Sequence, residues 1–288
     1  MTEEGQNNIL SIVIPFYGGW ETIRATAEQC STACSVTGLK HRIIVVNDTG
    51  NKGSMIKLET ELAGLPNVGL IHLDENLGQH NATFIGLRIS ASGDVITIDD
   101  DLKFPAERIS ELVALAKSGN AEVAYGIQPR NGFSGAIREG ILGFVKPLLA
   151  NNYPKRTSSF RFIRADVVYR MTASVPKFVQ MEGLIFHHAN QFEYLDLPSV
   201  ESNSQTGYSF FSLFSMFSGL INHYSMVPLV LLGVMAIFIN VLLLFNSSPF
   251  GFWVLPIGVF GLMVIWSELR IRKRRAGLIA QVKSMKRQ

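Results

Sequence analysis

Short β-branched apolar runs alternate with longer stretches of helical periodicity over the first 130 residues. The runs are ILSIVIP (Ile9 to Pro15), HRIIVVN (His41 to Asn47), VGLIHL (Val68 to Leu73), DVITID (Asp94 to Asp99) and AEVAYGI (Ala121 to Ile127). Between them lie helical patterns over Glu21 to Val36, after Gly78, and from Pro105, where proline suits a first helical turn. Such alternation predicts an α/β domain with a mostly parallel sheet and helices on both faces. Ligands in these sheets gather at the carboxyl ends of the strands. That rule singles out Tyr17, Asn47, Asp48 and the run Asp99, Asp100, Asp101.

The pattern then changes twice. From about Gln128 to Tyr153 the chain becomes glycine-rich and partly basic (NGFSGAIREGILGF), which predicts a loop of lid type leading into a helix. After Tyr208, Phe210, Leu213, Phe214 and Phe217 recur at helical spacing in an aromatic, serine-rich stretch. This predicts an interfacial amphipathic helix over 206–225, with a core helix of the domain as the alternative. Two uncharged apolar segments follow, Val227 to Phe245 and Phe250 to Trp266, separated by NSSP. Each approaches the roughly 20 residues that cross a hydrocarbon core, so 226–268 reads as a transmembrane hairpin. Gly233, Gly258 and Gly261 would let such helices pack against further copies, making a homo-oligomer possible.

Charge completes this topology. The net charge is +3, too mild to argue for nucleic acid, but Arg270, Arg272, Lys273, Arg274 and Arg275 cluster directly after the second apolar segment. Under the positive-inside rule 269–288 is a basic cytoplasmic tail, and two spans return the chain to the side of the domain at 1–205. Met1 to Asn8 is polar and the first apolar run is too short for a secretory signal, which also predicts a cytoplasmic domain on an inner membrane. The two cysteines, Cys30 and Cys34, stand one helical turn apart and read as small core residues.

ITIDDDLKFP, Ile96 to Pro105, carries the sharpest chemistry. An apolar strand ends in three consecutive carboxylates that repel one another. A divalent Mg²⁺ or Mn²⁺ held by Asp99 and Asp101, two apart at a strand end, would neutralise them and bridge the phosphates of a nucleotide. A solvated acidic turn is the alternative.

With these motifs in order, the sequence resembles the inverting, metal-dependent glycosyltransferases that include dolichol-phosphate mannose synthases and bacterial undecaprenyl-phosphate glycosyltransferases. The resemblance rests on SIVIPFY, VVND, ENLGQHNATFIGL, DDDLKFP, AYGIQPR, SSFRFIR and TGYSF, followed by the paired spans. It implies a glycosyltransferase A-type, Rossmann-like domain that binds a nucleotide-sugar donor. It also implies Pro15 and Tyr17 at the base, Asp48 at the base or ribose, Asp99 near ribose and metal, and Asp101 as the principal metal ligand. Asn47 and Asp100 belong to the same implied nucleotide-binding set. Asn76 and Gly78 match the motif opening the third helix, where a plain cap and a tight turn explain them equally well.

The acceptor implied by the resemblance is a polyprenyl phosphate, whose oxyanion needs no general base. Arg130 and Arg161 match family arginines able to bind phosphate in bidentate fashion; Arg138 and Lys146 are further candidates. Several positions depart from the family pattern. Asn47 replaces an acid, Gly18 and Gly19 follow the first strand, Lys103 stands where glutamine is usual beside the metal, and Gln205 replaces an arginine. Lys103 could substitute for a second cation or pair with the carboxylates. The expected reaction is inverting transfer from a nucleotide sugar, UDP-linked in preference, to undecaprenyl phosphate for cell-envelope glycans. Two alternatives stay open: transfer to a glycan or glycolipid hydroxyl with Asp100 or Glu182 as base, and a membrane scaffold without turnover.

Overall fold

The computed structural model describes residues 9–91, 93–129, 156–198, a few positions between 234 and 241, and 254–285. Arg130, Arg138, Lys146, Gln205, the interfacial segment 206–225 and nearly all of Val227 to Phe245 lie outside the described residues.

Seven strands form one sheet: β1 (Leu10–Phe16), β2 (His41–Asn47), β3 (Val68–His72), β4 (Val95–Thr97), β5 (Val123–Ile127), β6 (Arg161–Ile163) and β7 (Phe192–Asp196). Their order is β3-β2-β1-β4-β6-β5-β7. All neighbours pair in parallel except β6, which is antiparallel to both β4 and β5. The chain steps outward from β1 through β2 to β3, then returns to lay β4 on the other side of β1. Strand order therefore reverses between β1 and β4, and a crevice opens beyond their carboxyl ends.

The helices are α1 (Ile23–Val36), α2 (Lys52–Glu61), α3 (Gln79–Ile89), α4 (Ile109–Ser118, entered through a 3₁₀ turn at Ala106–Arg108), α5 (Ala165–Thr172), α6 (Met181–His188) and α7 (Val254–Met285). They cover the sheet on two faces, so all seven residues of β1 are buried, as expected for a strand without a solvent side. Ile12, Ile14 and Phe16 of β1 face one core with Ile23, Cys30 and Cys34 of α1 and Leu112 of α4. Val13, on the opposite pleat, joins Phe84, Tyr125, Val168 and Leu278 in the second core. Both cysteines are free and buried. Burial pushes the Cys34 thiol up to about 11 and Cys30 further in the same direction.

The C-terminal end of the described chain is one long helix. Among the described residues no helix is long and apolar enough to cross a membrane. The second predicted span, Phe250 to Trp266, overlaps α7, which has Pro256 in its first turn and continues unbroken through the basic cluster to Met285. Residues 269–285, grouped by sequence with a basic tail, are helical and return to the domain. Ile271, Leu278 and Val282 are buried, and Gln281 accepts from the Asp74 N–H at 3.4 Å and donates to the His72 carbonyl at 3.3 Å. The helix thereby satisfies backbone groups at the end of β3. Its large apolar residues Leu262, Trp266 and Leu269 remain exposed.

Candidate active site

The crevice between β1 and β4 collects most of the singled-out residues, but the three consecutive acids serve three different geometries. Asp99 accepts from Gln79 Nε2 at 2.5 Å and from Ser159 Oγ at 2.5 Å, one bond to each carboxylate oxygen. Burial pushes its pKa up, with the Ser159 hydrogen bond and the Arg161 charge opposing and Asp101 reinforcing. Asp100 turns back to the loop after β1. Its Oδ2 accepts from the N–H of Gly19 at 3.2 Å and of Tyr17 at 3.4 Å, and its carbonyl accepts from Thr22 Oγ1. A Cβ on Gly19 would lie 2.8 Å from this carboxylate, so the departure at position 19 has a steric reason. Asp100 is likewise raised, burial leading and the two amides opposing.

Asp101 projects outward, and Lys103 is folded over it. Lys103 Nζ pairs with Asp101 Oδ2, and its N–H donates to Asp101 Oδ1 at 3.2 Å. Leu102 between them has φ of 56°, a left-handed conformation that side chains larger than glycine avoid and that concentrates at functional sites. Gln128 Nε2 donates to the Lys103 carbonyl. Lys103 thus pairs with the carboxylate that the resemblance marks as the metal ligand.

At the end of β2 the neighbouring positions separate. Asn47 is buried beneath the site, and its amide is engaged: Nδ2 donates to Ser54 Oγ at 3.1 Å and contacts His72 Nδ1 at 3.1 Å, while Oδ1 accepts from Thr49 N–H and Oγ1. Asp48, only 1% exposed, accepts from the Leu77 N–H at 2.6 Å, and its carbonyl accepts from Asn76 Nδ2 at 2.9 Å. Burial pushes its pKa up to about 6, against the Leu77 and Gly78 amides and the Arg274 charge. Gly78 has φ of 89° and opens α3. A Cβ there would lie 2.9 Å from Arg274 Nη1, so glycine both makes the turn and admits the arginine. Asn76 helps tie this loop to β2.

Tyr17 is 69% exposed at the lip, while Pro15 lines a cavity of about 160 Å³ with Gln79, His80, Asp99, Ser159 and Arg161. Arg161 is 4% exposed; its Nε donates to Thr97 Oγ1 at 3.1 Å and its Nη1 pairs with Glu182 Oε2 at 2.9 Å. The Tyr125 hydroxyl reaches the same Glu182 oxygen at 3.4 Å. Glu182, one of the two candidate bases, is therefore committed to a buried pair.

Sequence reasoning passed over Gln79, Ser159, His80 and Arg274 individually. Burial, reinforced by Arg161 and Arg274, lowers His80 to about 4, so it is neutral near pH 7. The first three lie inside quoted motifs, which was the available signal; Arg274 lay inside a charge run.

For a divalent ion, Asp101 stands close enough to Asp99 to disfavour ionisation of the Asp99 carboxyl. Among the described residues no group of three or more His, Cys, Asp or Glu converges as a complete cage. One or two carboxylates completed by substrate phosphates is the usual Mg²⁺ arrangement. The donor set fits that arrangement once Lys103 is displaced from Asp101.

An acidic crevice at the switch point of a mostly parallel α/β sheet, with a buried aspartate at the end of the adjoining strand, is the framework of a glycosyltransferase A-type fold. The glycosyl transferase family 2 profile matches residues 11–171, more than half of the 288 residues, and the chain belongs to that family. The undecaprenyl-phosphate 4-deoxy-4-formamido-L-arabinose transferase of Yersinia enterocolitica serotype O:8 is 37% identical over 122 residues, or 41% of this chain and 37% of that one. The match thus spans little more than a third of that relative's length. The glucosyl-3-phosphoglycerate synthase of Mycobacterium tuberculosis with phosphoglyceric acid superposes with TM-score 0.57 at 14% identity, over 77% of this chain and 81% of that one. The same synthase with Mn²⁺, UDP and glucosyl-3-phosphoglycerate gives 0.53 at 15% identity, over 77% and 81%. These likenesses establish the fold.

Proposed function

We propose that this chain transfers a sugar from a nucleoside diphosphate sugar, UDP-linked in preference, to polyprenyl phosphate with inversion at the anomeric carbon. The observation that carries the reading is the pair Asp99 and Asp101 at the switch-point crevice, flanked by Asp48 on one side and Arg161 on the other. A curated relative named as an undecaprenyl-phosphate transferase supports the acceptor.

An oxygen of the lipid phosphate attacks the anomeric carbon as the bond from that carbon to the nucleotide diphosphate breaks. The attacking oxygen is already anionic, so no proton needs to be removed. This agrees with Glu182 being paired to Arg161 and Asp100 being held by backbone amides. Pro15 and Tyr17 border the base, Asp48 accepts from base or ribose, and Asn76 and Gly78 hold the loop around it. Asp101 and Asp99 would hold a Mg²⁺ or Mn²⁺, which would supply charge neutralisation for the departing diphosphate. Arg161, fixed by Thr97 and Glu182, and Arg130 add positive potential where negative charge accumulates.

The reading includes a bilayer. Segments 206–225 and 226–268 form an interfacial helix and a hairpin, with the domain 1–205 on the cytoplasmic side of a bacterial inner membrane and homo-oligomers packing through the hairpin. Leu262, Trp266 and Leu269, exposed on α7, support apolar surroundings for those turns.

The test uses purified full-length chain, labelled sugar nucleotides, Mg²⁺ or Mn²⁺ and a short-chain polyprenyl phosphate. Acid-labile labelled lipid that disappears in Asp101→Ala is the expected result. Label reaching only saccharide hydroxyls, or no turnover with any donor, sinks the proposal.

A further inference from the structure

The C-terminal half of α7 packs on the domain. Leu278 and Val282 join its second core, Gln281 bonds at the end of β3, and Ile271 lines the cavity beside α3, on one helical stripe. Position 274 falls on that stripe between Ile271 and Leu278, and it carries an arginine. Arg274 is half-buried there. Burial, then the neighbouring Arg270, pulls its pKa down, and Asp48 acts in the opposite sense. A desolvated guanidinium destabilises its surroundings unless an anion compensates it.

A cavity of about 170 Å³ surrounds it, between α7, the first turn of α3 and residues 176–179. Among the described residues its charged lining is Lys177, Arg270, Arg274 and Arg275, with no carboxylate. Among the described residues none of these four has an ion-pair partner, whereas Arg272 on the outer face pairs with Glu268 at 3.5 Å. Arg275 Nε is buried without a hydrogen-bond partner among the described residues. Gly78, Gln79 and His80, where α3 opens, line the same space.

We infer that this cavity binds a phosphomonoester carried on a hydrocarbon chain, gripped by Arg270, Arg274 and Arg275. The inference rests on the polyprenyl-phosphate reading above and assigns the acceptor's phosphate a seat on the C-terminal helix. Two observations favour an amphiphile over a soluble anion. The preceding turns of α7 expose Val259, Leu262, Ile265, Trp266 and Leu269, and Arg270 lies 5.3 Å from the Trp266 ring centroid, so an apolar strip leads to the cations. The cavity also shares Gln79 and His80 with the one beneath Asp99, which sets the phosphate beside the donor crevice.

Full-length protein in detergent is titrated with a short-chain polyprenyl monophosphate, with inorganic phosphate and with UDP. Arg274→Gln and Arg270→Gln each weaken the lipid phosphate about 10- to 100-fold, the loss of one charge-assisted contact, while UDP affinity stays within about threefold. Arg274→Lys falls between. Thermal melts show whether each variant is folded, and Lys177→Gln at the exposed rim gives a milder version of the same loss. Unchanged lipid-phosphate affinity in folded Arg270→Gln and Arg274→Gln overturns the inference. So does an equal loss for UDP, which would assign the cations to the donor, or inorganic phosphate binding as tightly as the lipid. Wild type that binds lipid phosphate through these arginines but transfers no sugar defeats the functional reading and leaves the cavity standing. Normal transfer with unchanged KM for the lipid in the variants does the reverse.

Discussion

Asp48 offers a quantitative test of the donor side. Its carboxyl is 1% exposed and titrates at about 6 against an ordinary value of 3.8. The folded state therefore binds this proton more tightly than the unfolded chain does. Stability from that proton is fully present below about pH 4 and is lost as pH rises through 6. A displacement of roughly two units corresponds to about 3 kcal/mol. The perturbation is Asp48→Asn, which keeps an oxygen to accept from the Leu77 N–H but cannot titrate. Unfolding free energies of both proteins are measured by denaturant titration from pH 8 to pH 4.5. The other titrating groups are common to both proteins and largely cancel in the difference. Wild type should gain most of that 3 kcal/mol relative to the variant as pH falls, whatever the offset at pH 8. A flat difference refutes burial as the dominant influence on Asp48. A difference of opposite sign means that Arg274 outweighs desolvation and holds the carboxylate charged.

Further outcomes follow from the same geometry. UDP should bind more weakly as pH drops below about 6, because protonated Asp48 loses one acceptor position; calorimetric affinities unchanged between pH 7.5 and 5 contradict its place at the nucleotide. Lys103→Gln should raise Mn²⁺ affinity several-fold by freeing Asp101, read from the free-Mn²⁺ spin-resonance signal, and equal or weaker binding refutes competition between ammonium and metal. Gly78→Ala should destabilise by about 1–3 kcal/mol from its positive-φ, extended backbone alone, with part of any further loss recovered in the double variant with Arg274→Ala; a stability equal to wild type excludes the turn described. Leu278→Ala, at a fully buried position, should cost about 2–5 kcal/mol, and a negligible change in the denaturation midpoint indicates that α7 does not dock.

The parallel half of the sheet was legible because β1 to β5 are β-branched runs bounded by turn residues, and DDDLKFP announced the crevice through charge that a strand end does not accumulate without use. Strand β6 was not, since Arg161–Ile163 is too short to display a period. The division of labour among the acids was also hidden. Asp100 is occupied by amides 81 and 83 residues earlier, and Asp99 by Ser159, 60 residues later; no local pattern encodes partners that only the folded sheet brings together. Arg274 was misfiled for a related reason. A run of basic residues reads as uniformly solvated or lipid-facing, whereas a helix divides it, turning Arg272 outward and Arg274 inward. Asn47 looked like a weakened pocket residue, but its amide braces the turn after β2.

An α-helix resists stretching, so α7 behaves as a ruler. Eight residues separate Trp266 from Arg274, which is about 12 Å along the axis at 1.5 Å per residue. The exposed apolar turns of α7 and the arginine beside Gly78 are held at that separation by residue count alone. Inserting a single residue between them would both lengthen the ruler and rotate the arginines by about 100°, swinging them off the cleft. Spacing in this stretch is therefore constrained more tightly than the identity of its outward-facing side chains.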